Sequence, residues 1–191
     1  MQGLQGAVRA EDAVLVLVDI QAALADAMPT GDQWLESAVL LARAAGPLGI
    51  PCVVTRQYPR GLGDTVGVVA EAVGSHAPVD KTAFDCMAER GFCERLEETG
   101  RRTVVIAGIE AHICVTQTAL SLVRAGYHAH VVADAVCSRR PTDRDIALAR
   151  LRSAGVVVTT SESVLYEALG RAGTTAFREV LQLVKECRPT R

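Results

Sequence analysis

The sequence carries no surplus of positive charge. Twenty Lys and Arg stand against 22 Asp and Glu, for a formal net charge of −2 and a pI of about 6.1. Basic residues are scattered, and no basic run is longer than a pair, as at Arg139-Arg140. That balance excludes binding nucleic acid or an anionic membrane by bulk electrostatics. Long apolar runs are also missing. Ala13 to Val18 is the longest strongly apolar run, far short of the roughly 20 residues a bilayer requires. Neither nucleic acid nor membrane is therefore expected as a partner.

Several motifs are absent as well. The cysteines at 52, 86, 93, 114, 137 and 187 include no CxxC pair, which argues against a zinc ribbon or a thioredoxin-type redox pair. Their irregular spacing, with no signal-peptide pattern ahead of them, suggests free thiols in a reducing, cytoplasmic setting. There is no P-loop and no GxSxG elbow. The histidines at 76, 112, 128 and 130 show no HExxH spacing, and no metal is expected. Gly61-Leu62-Gly63-Asp64-Thr65-Val66-Gly67 departs from the spacing of a dinucleotide loop, and no cofactor is expected. Linkers, repeats and low-complexity tracts are lacking, so residues 1–191 read as one domain, long enough to bury a substantial core.

What is present is an alternation of short β-branched runs with longer amphipathic stretches. Ala13–Val18 suits a strand buried on both faces. Trp34, Ala38, Leu41, Ala45 and Leu48 fall on one helical face, and Gly49 marks that helix's end. Further strands are read at 52–55, 103–107, 128–133 and 156–160. Helices are read at 88–99, 112–125, after Thr142 as cap with Asp145, after Ser161 as cap, and through Phe177, Val180, Leu181 and Val184. Residues 56–80, rich in Gly and Pro, read as a long loop holding at most one short helix. Strands alternating with helices imply parallel pairing. The expected fold is α/β: a three-layer α/β/α, Rossmann-like domain with a doubly wound, mainly parallel sheet of five or six strands.

Ligands in such sheets bind beyond the carboxyl ends of the strands, at the topological switch point. Asp19, Asp134 and the stretch Gly108 to Cys114 all follow strands. Cys114 falls near a helix N-terminus, where unpaired N–H groups and the dipole favour thiolate and offer donors to an oxyanion. The plainer readings are that Cys114 is a small buried apolar side chain, Asp19 a cap, and Lys81 a solvated surface residue.

Three segments together are more specific. Val16-Leu17-Val18-Asp19-Ile20-Gln21, Asp80-Lys81-Thr82-Ala83-Phe84 and Gly108-Ile109-Glu110-Ala111-His112-Ile113-Cys114-Val115 resemble, in order and spacing, the signature segments of isochorismatase-like cysteine hydrolases. The similarity covers about residues 10–185 and is nearest to the isochorismatase domain-containing subgroup. Thr55-Arg56-Gln57-Tyr58-Pro59-Arg60-Gly61-Leu62-Gly63 contributes to it.

The resemblance implies a catalytic triad of Asp19, Lys81 and Cys114. Asp19 would be general base and acid, Lys81 its electrostatic partner, and Cys114 the nucleophile. Backbone N–H groups of Glu110 and Cys114 would form the oxyanion hole, and the Ile109–Glu110 peptide would be cis. Gln21, Tyr58 and Phe84 are expected to line a substrate pocket, with simple packing as the alternative for each. Nicotinamidases of this superfamily carry an Asp-x-His metal cluster near the position of Arg56 to Pro59. Here those residues are Arg56-Gln57-Tyr58-Pro59, which disfavours that metal-dependent chemistry. The resulting expectation is a metal-independent, amidase-type hydrolase of a small-molecule amide or related carbonyl compound. The family also implies a homo-oligomer, dimer or tetramer. A non-catalytic binding or scaffold protein of the same fold is the alternative.

Overall fold

A computed structural model describes residues 6–29 and 33–187. Its elements run β1 (Ala13–Val18), α1 (Ala22–Ala25), α2 (Trp34–Leu48), β2 (Cys52–Gln57), α3 (Pro59–Leu62), α4 (Gly67–Val73), β3 (Val79–Lys81), α5 (Arg90–Glu98), β4 (Thr103–Ile109), α6 (Thr116–Arg124), β5 (His128–Cys137), α7 (Pro141–Ser153), β6 (Val157–Thr159), α8 (Ser161–Leu169) and α9 (Thr175–Cys187). The strands form one six-stranded sheet in the order β3-β2-β1-β4-β5-β6. Every pairing between these strands is parallel.

The uninterrupted apolar run of β1 follows from its place in the middle of the sheet. Ala13, Leu15 and Leu17 face one core, shared with α2, α4, α8 and α9. Val14, Val16 and Val18 face the other, shared with α5, α6 and α7. Both faces are covered, so no position of this strand can be polar. Helix α2 buries Trp34, Ala38, Leu41 and Ala45 as its periodicity requires, and Gly49 closes it in the left-handed conformation at φ 65°.

The chain winds outward from β1 through β2 to β3 on one side, and from β4 through β5 to β6 on the other. The switch point therefore lies between β1 and β4. Asp19 leaves the end of β1, and the segment that reaches Cys114 leaves the end of β4. Their strands are forced close at this point. Gly108, at φ 127°, lies against the backbone of Val18, and a Cβ there would sit 2.1 Å from the Val18 carbonyl oxygen. Only glycine fits, because no side-chain atom can occupy that gap and few residues adopt that backbone conformation.

Several local expectations need correction. The 56–80 stretch holds two short helices, α3 and α4, together with most of a third new element, β3, which carries Lys81. The three-residue β3 pairs with β2 at the sheet edge and is too short and too polar to announce itself by periodicity. Helix α7 starts at Pro141, with Arg140 rather than Thr142 at the cap position and no side-chain capping bond. Pro at the first position needs no N–H partner. Thr160, not Ser161, caps α8, its hydroxyl accepting from Ser163 N–H. Strand β5 continues through Asp134 to Cys137 across a register shift. Asp134 lies within that irregular stretch, where it accepts from the Ser161 N–H (2.8 Å) and hydroxyl (2.7 Å). Its role there is to tie α8 to the sheet.

Candidate active site

The first polar side chain after β1 is Asp19, fully buried. Its backbone has φ 50°, a left-handed conformation that aspartate tolerates better than most residues. Lys81 ends β3 and is also buried. The two meet as an ion pair, Nζ to Oδ2 at 2.7 Å, with neither side chain exposed. Two charges so far from water persist only with near-complete hydrogen bonding. Lys81 Nζ also donates to Gln57 Oε1 (2.5 Å) and to the carbonyls of Ala83 (3.1 Å) and Phe84 (3.4 Å). Burial, the largest influence on this ammonium, works against its charge. The Asp19 carboxylate, the largest opposing influence, helps hold the lysine above its ordinary pKa.

Cys114 completes the group. Between β4 and α6, residues Ala111–Val115 make a wide turn of π geometry instead of the regular helix expected from 112 onward. Such turns re-aim a side chain within an otherwise regular element. The Glu110 carbonyl accepts from the N–H groups of Ile113 (3.1 Å) and Val115 (3.3 Å), on either side of the Cys114 N–H. The Ile109–Glu110 peptide is cis. The charge of the Asp19 carboxylate acts on the Cys114 thiol.

The expectation that the helix terminus favours thiolate is not met. Burial first, and then the adjacent Asp19 charge, push the Cys114 thiol well above its ordinary pKa, against the opposing pull of Lys81. The resting site therefore holds a protonated thiol near a carboxylate that is itself paired with an ammonium. All three residues are buried, Cys114 at 5% exposure, Lys81 at 2% and Asp19 at none.

The other named residues separate. Gln21 does not line a pocket. It is fully buried, its amide donating to the carbonyls of Gln57 (3.0 Å) and Gly63 (2.7 Å) and accepting from Gln57 N–H (2.7 Å). With every group engaged, it is a clamp between the end of β1 and the end of β2. Tyr58 and Phe84 are 55% and 54% exposed, available to a ligand in a way that Gln21 is not. Tyr58, Arg60, Lys81 and Thr82 border an open hollow of about 380 Å³. A larger depression of about 900 Å³ lies among α2, α4 and α9. It contains none of Asp19, Lys81 and Cys114. The Glu110 carboxylate points to Arg139, accepting from its N–H and its Nε, both at 3.0 Å. Only the backbone of Glu110 remains to serve an oxyanion. Among the described residues, no group of three or more His, Cys, Asp or Glu is placed to hold a metal ion. Arg56, where a metal-binding relative has its cluster, pairs instead with Asp80 (2.7 Å) and Asp64.

Three neighbours of the triad are not marked by any sequence motif. Thr55 and Gln57 are alternate residues of β2, and both are buried. Thr55 Oγ1 donates to Asp19 Oδ1 at 2.8 Å and accepts from the Asp19 N–H at 3.3 Å. Gln57 holds Lys81 on one side and the Thr82 carbonyl (2.8 Å) on the other. Cys86, fully buried, directs its thiol to Thr55 Oγ1 at 4.0 Å. Its thiol is pushed up to about 12, first by burial and then by Asp19. The available signal was the alternation of polar side chains at the end of an apolar strand, Thr55 and Gln57 in Val53-Val54-Thr55-Arg56-Gln57.

Comparison with known proteins agrees with this geometry. Residues 13–163 match the isochorismatase domain family. Isochorismatase domain-containing protein 1 of Salmo salar is 39% identical over 149 residues, 78% of this chain and 52% of that protein. The chain thus spans about half the length of that relative. Isochorismatase domain-containing protein 2 of Danio rerio is 36% identical over 185 residues, 96% of this chain and 92% of the relative. A solved structure of a protein named MAR1 ribonuclease from Caenorhabditis elegans superposes with a TM-score of 0.87 at 35% identity, covering 94% of this chain and 92% of that one.

Proposed function

The chain belongs to the isochorismatase family of hydrolases, and from that premise we propose that it hydrolyses a small amide or related carbonyl compound through an acyl-enzyme on Cys114. The observation that carries the reading is one fully buried carboxylate that pairs with an ammonium and acts on a nearby thiol: Asp19 meets Lys81 at 2.7 Å, and its charge helps raise the Cys114 thiol.

In this mechanism Asp19 accepts the thiol proton as the sulfur attacks the carbonyl carbon. No standing thiolate is needed, which accords with the raised thiol pKa. The N–H groups of Glu110 and Cys114 meet the developing oxyanion. Lys81 stays out of contact with substrate, since Asp19, Gln57 and the 83–84 carbonyls surround its ammonium. Its charge steadies the sulfur and the carboxylate. As the tetrahedral intermediate collapses, Asp19 returns its proton to the leaving amine or ammonia. Water then cleaves the thioester with Asp19 again as base, giving the carboxylic acid and the free thiol. No metal takes part in this scheme. The same proposal includes self-association into a dimer or tetramer, measurable by light scattering, and a reducing, cytoplasmic compartment, in keeping with six free cysteines.

Peptide-resolved mass spectrometry after limited iodoacetamide treatment tests the reading. Cys114 is expected to alkylate faster than the other five cysteines, and the preference should vanish in Asp19→Asn. Equal labelling of all six would count against an activated site. Turnover of a panel of small amides then separates catalysis from mere ligand binding. If no amide or ester is turned over while a thermal-shift screen finds a ligand, the non-catalytic reading prevails. RNA cleavage, as in the name of the nematode protein, gains no support from a chain of net charge −2, since phosphate backbones are gripped by excess positive charge.

A further inference from the structure

We propose that Thr55 is a positioning residue for the reaction, a hydroxyl whose single proton is committed to the Asp19 carboxylate and thereby sets the orientation of the general base. The inference rests on the proposed role of Asp19 and deepens it.

A threonine hydroxyl has one proton to give and two lone pairs to receive. Both acceptor sites of Thr55 Oγ1 face donors. The Asp19 backbone N–H approaches at 3.3 Å, and the Cys86 thiol at 4.0 Å. A hydroxyl accepting from both directions has one outlet for its own proton, and that outlet is Asp19 Oδ1 at 2.8 Å. The direction of this bond is therefore fixed by the surroundings, although a free hydroxyl would rotate. Thr55, Asp19 and Cys86 are all fully buried, so water does not compete for these bonds.

The consequence for Asp19 is geometric. One carboxylate oxygen is held by Thr55, and the other by Lys81. The carboxylate plane is pinned from both ends. Thr55 also grips the Asp19 backbone, so side chain and main chain are fixed by the same atom. Thr55 touches no reacting atom itself.

Without that hydrogen bond the carboxylate is held from one end only and is free to turn away from the sulfur. The test is the rate of Cys114 alkylation by iodoacetamide relative to the other cysteines at pH 7, read by peptide-resolved mass spectrometry in the full chain. In Thr55→Val, which keeps the shape and loses the hydroxyl, that relative rate should fall about fivefold. Thr55→Ser should restore the wild-type rate. Thr55→Ala carries the same expectation as Thr55→Val, so the test stands if the valine variant does not fold.

An unchanged relative rate in the hydroxyl-free variants would overturn the proposal. So would a Thr55→Ser rate as low as that of Thr55→Val, because a packing effect would then explain both. If wild-type Cys114 shows no preferential labelling, the proposed hydrolase reading fails instead, and the two failures are distinguishable.

Discussion

The residue that most constrains this site is Asp19. It brings a charge into a region where burying one without partners is prohibitive. Three neighbours make it tolerable. Lys81 supplies the countercharge, Thr55 a neutral donor, and Cys114 the proton of the proposed reaction. Removing the countercharge leaves a carboxylate stranded in the interior. Lys81→Met should therefore destabilise the fold by about 3–5 kcal/mol, read as a lower urea midpoint at pH 7. Adding Asp19→Asn to it should recover part of that loss, because the stranded charge is gone. Additive losses in the double variant would mean that the pair is not coupled. The sequence marked Asp19 by its place after an apolar run and Cys114 by its place before a helix. Lys81 was legible only through the resemblance of its segment, since its strand β3 spans three residues and pairs at the sheet edge. Thr55, Gln57 and Cys86 were not legible as functional residues. Nothing in a threonine at a strand end says which carboxylate it will face.

At the scale of elements, the site is an outcome of strand order. Strand β1 ends at Val18 and β4 begins only at Thr103, yet the two are adjacent in the sheet. Their adjacency places the Asp19 turn beside the Cys114 turn. Gly108 is the closest point of that contact, pairing with Val18. Gly108→Ala would drive a methyl group into the Val18 backbone. The expected cost is about 2–5 kcal/mol from backbone strain and overpacking together, and the shift would be felt at the next residue, Asp19. A folded Gly108→Ala protein should thus lose preferential labelling of Cys114 even though no triad residue has changed. Retained labelling would show that this close approach does not set the triad. Interior strands such as β1 could be read from sequence because both faces are buried. The 56–80 segment could not, because α3 and α4 each run seven residues or fewer and pack on other helices, α3 on α1 and α4 on α2.

For the molecule as a whole, acid stability has an identifiable contributor outside the site. His130 lies on β5, almost fully buried, and neither ring nitrogen has a hydrogen-bond partner among the described residues. Burial, the main cause, holds its pKa below the ordinary value, with Glu167 partly opposing. The folded state therefore binds its proton less readily than the unfolded chain does. Stability from the neutral imidazole is fully present above the unfolded value near 6.5, and declines as pH falls through it toward the lower folded value. Urea midpoints at pH 7.5 and 5.5 should differ less in His130→Leu than in the wild type. An equal difference would remove His130 as a source of acid sensitivity. The sequence by itself determined the α/β class, the parallel sheet and both core faces of β1, because each is encoded in local periodicity and turn chemistry. Tertiary structure alone decided that Gln21 is a clamp, that the Cys114 thiol rests protonated, and that Thr55, Gln57 and Cys86 surround the ion pair. Those facts depend on which buried polar atoms meet across the sheet, and a meeting of that kind leaves no trace in the spacing of either partner.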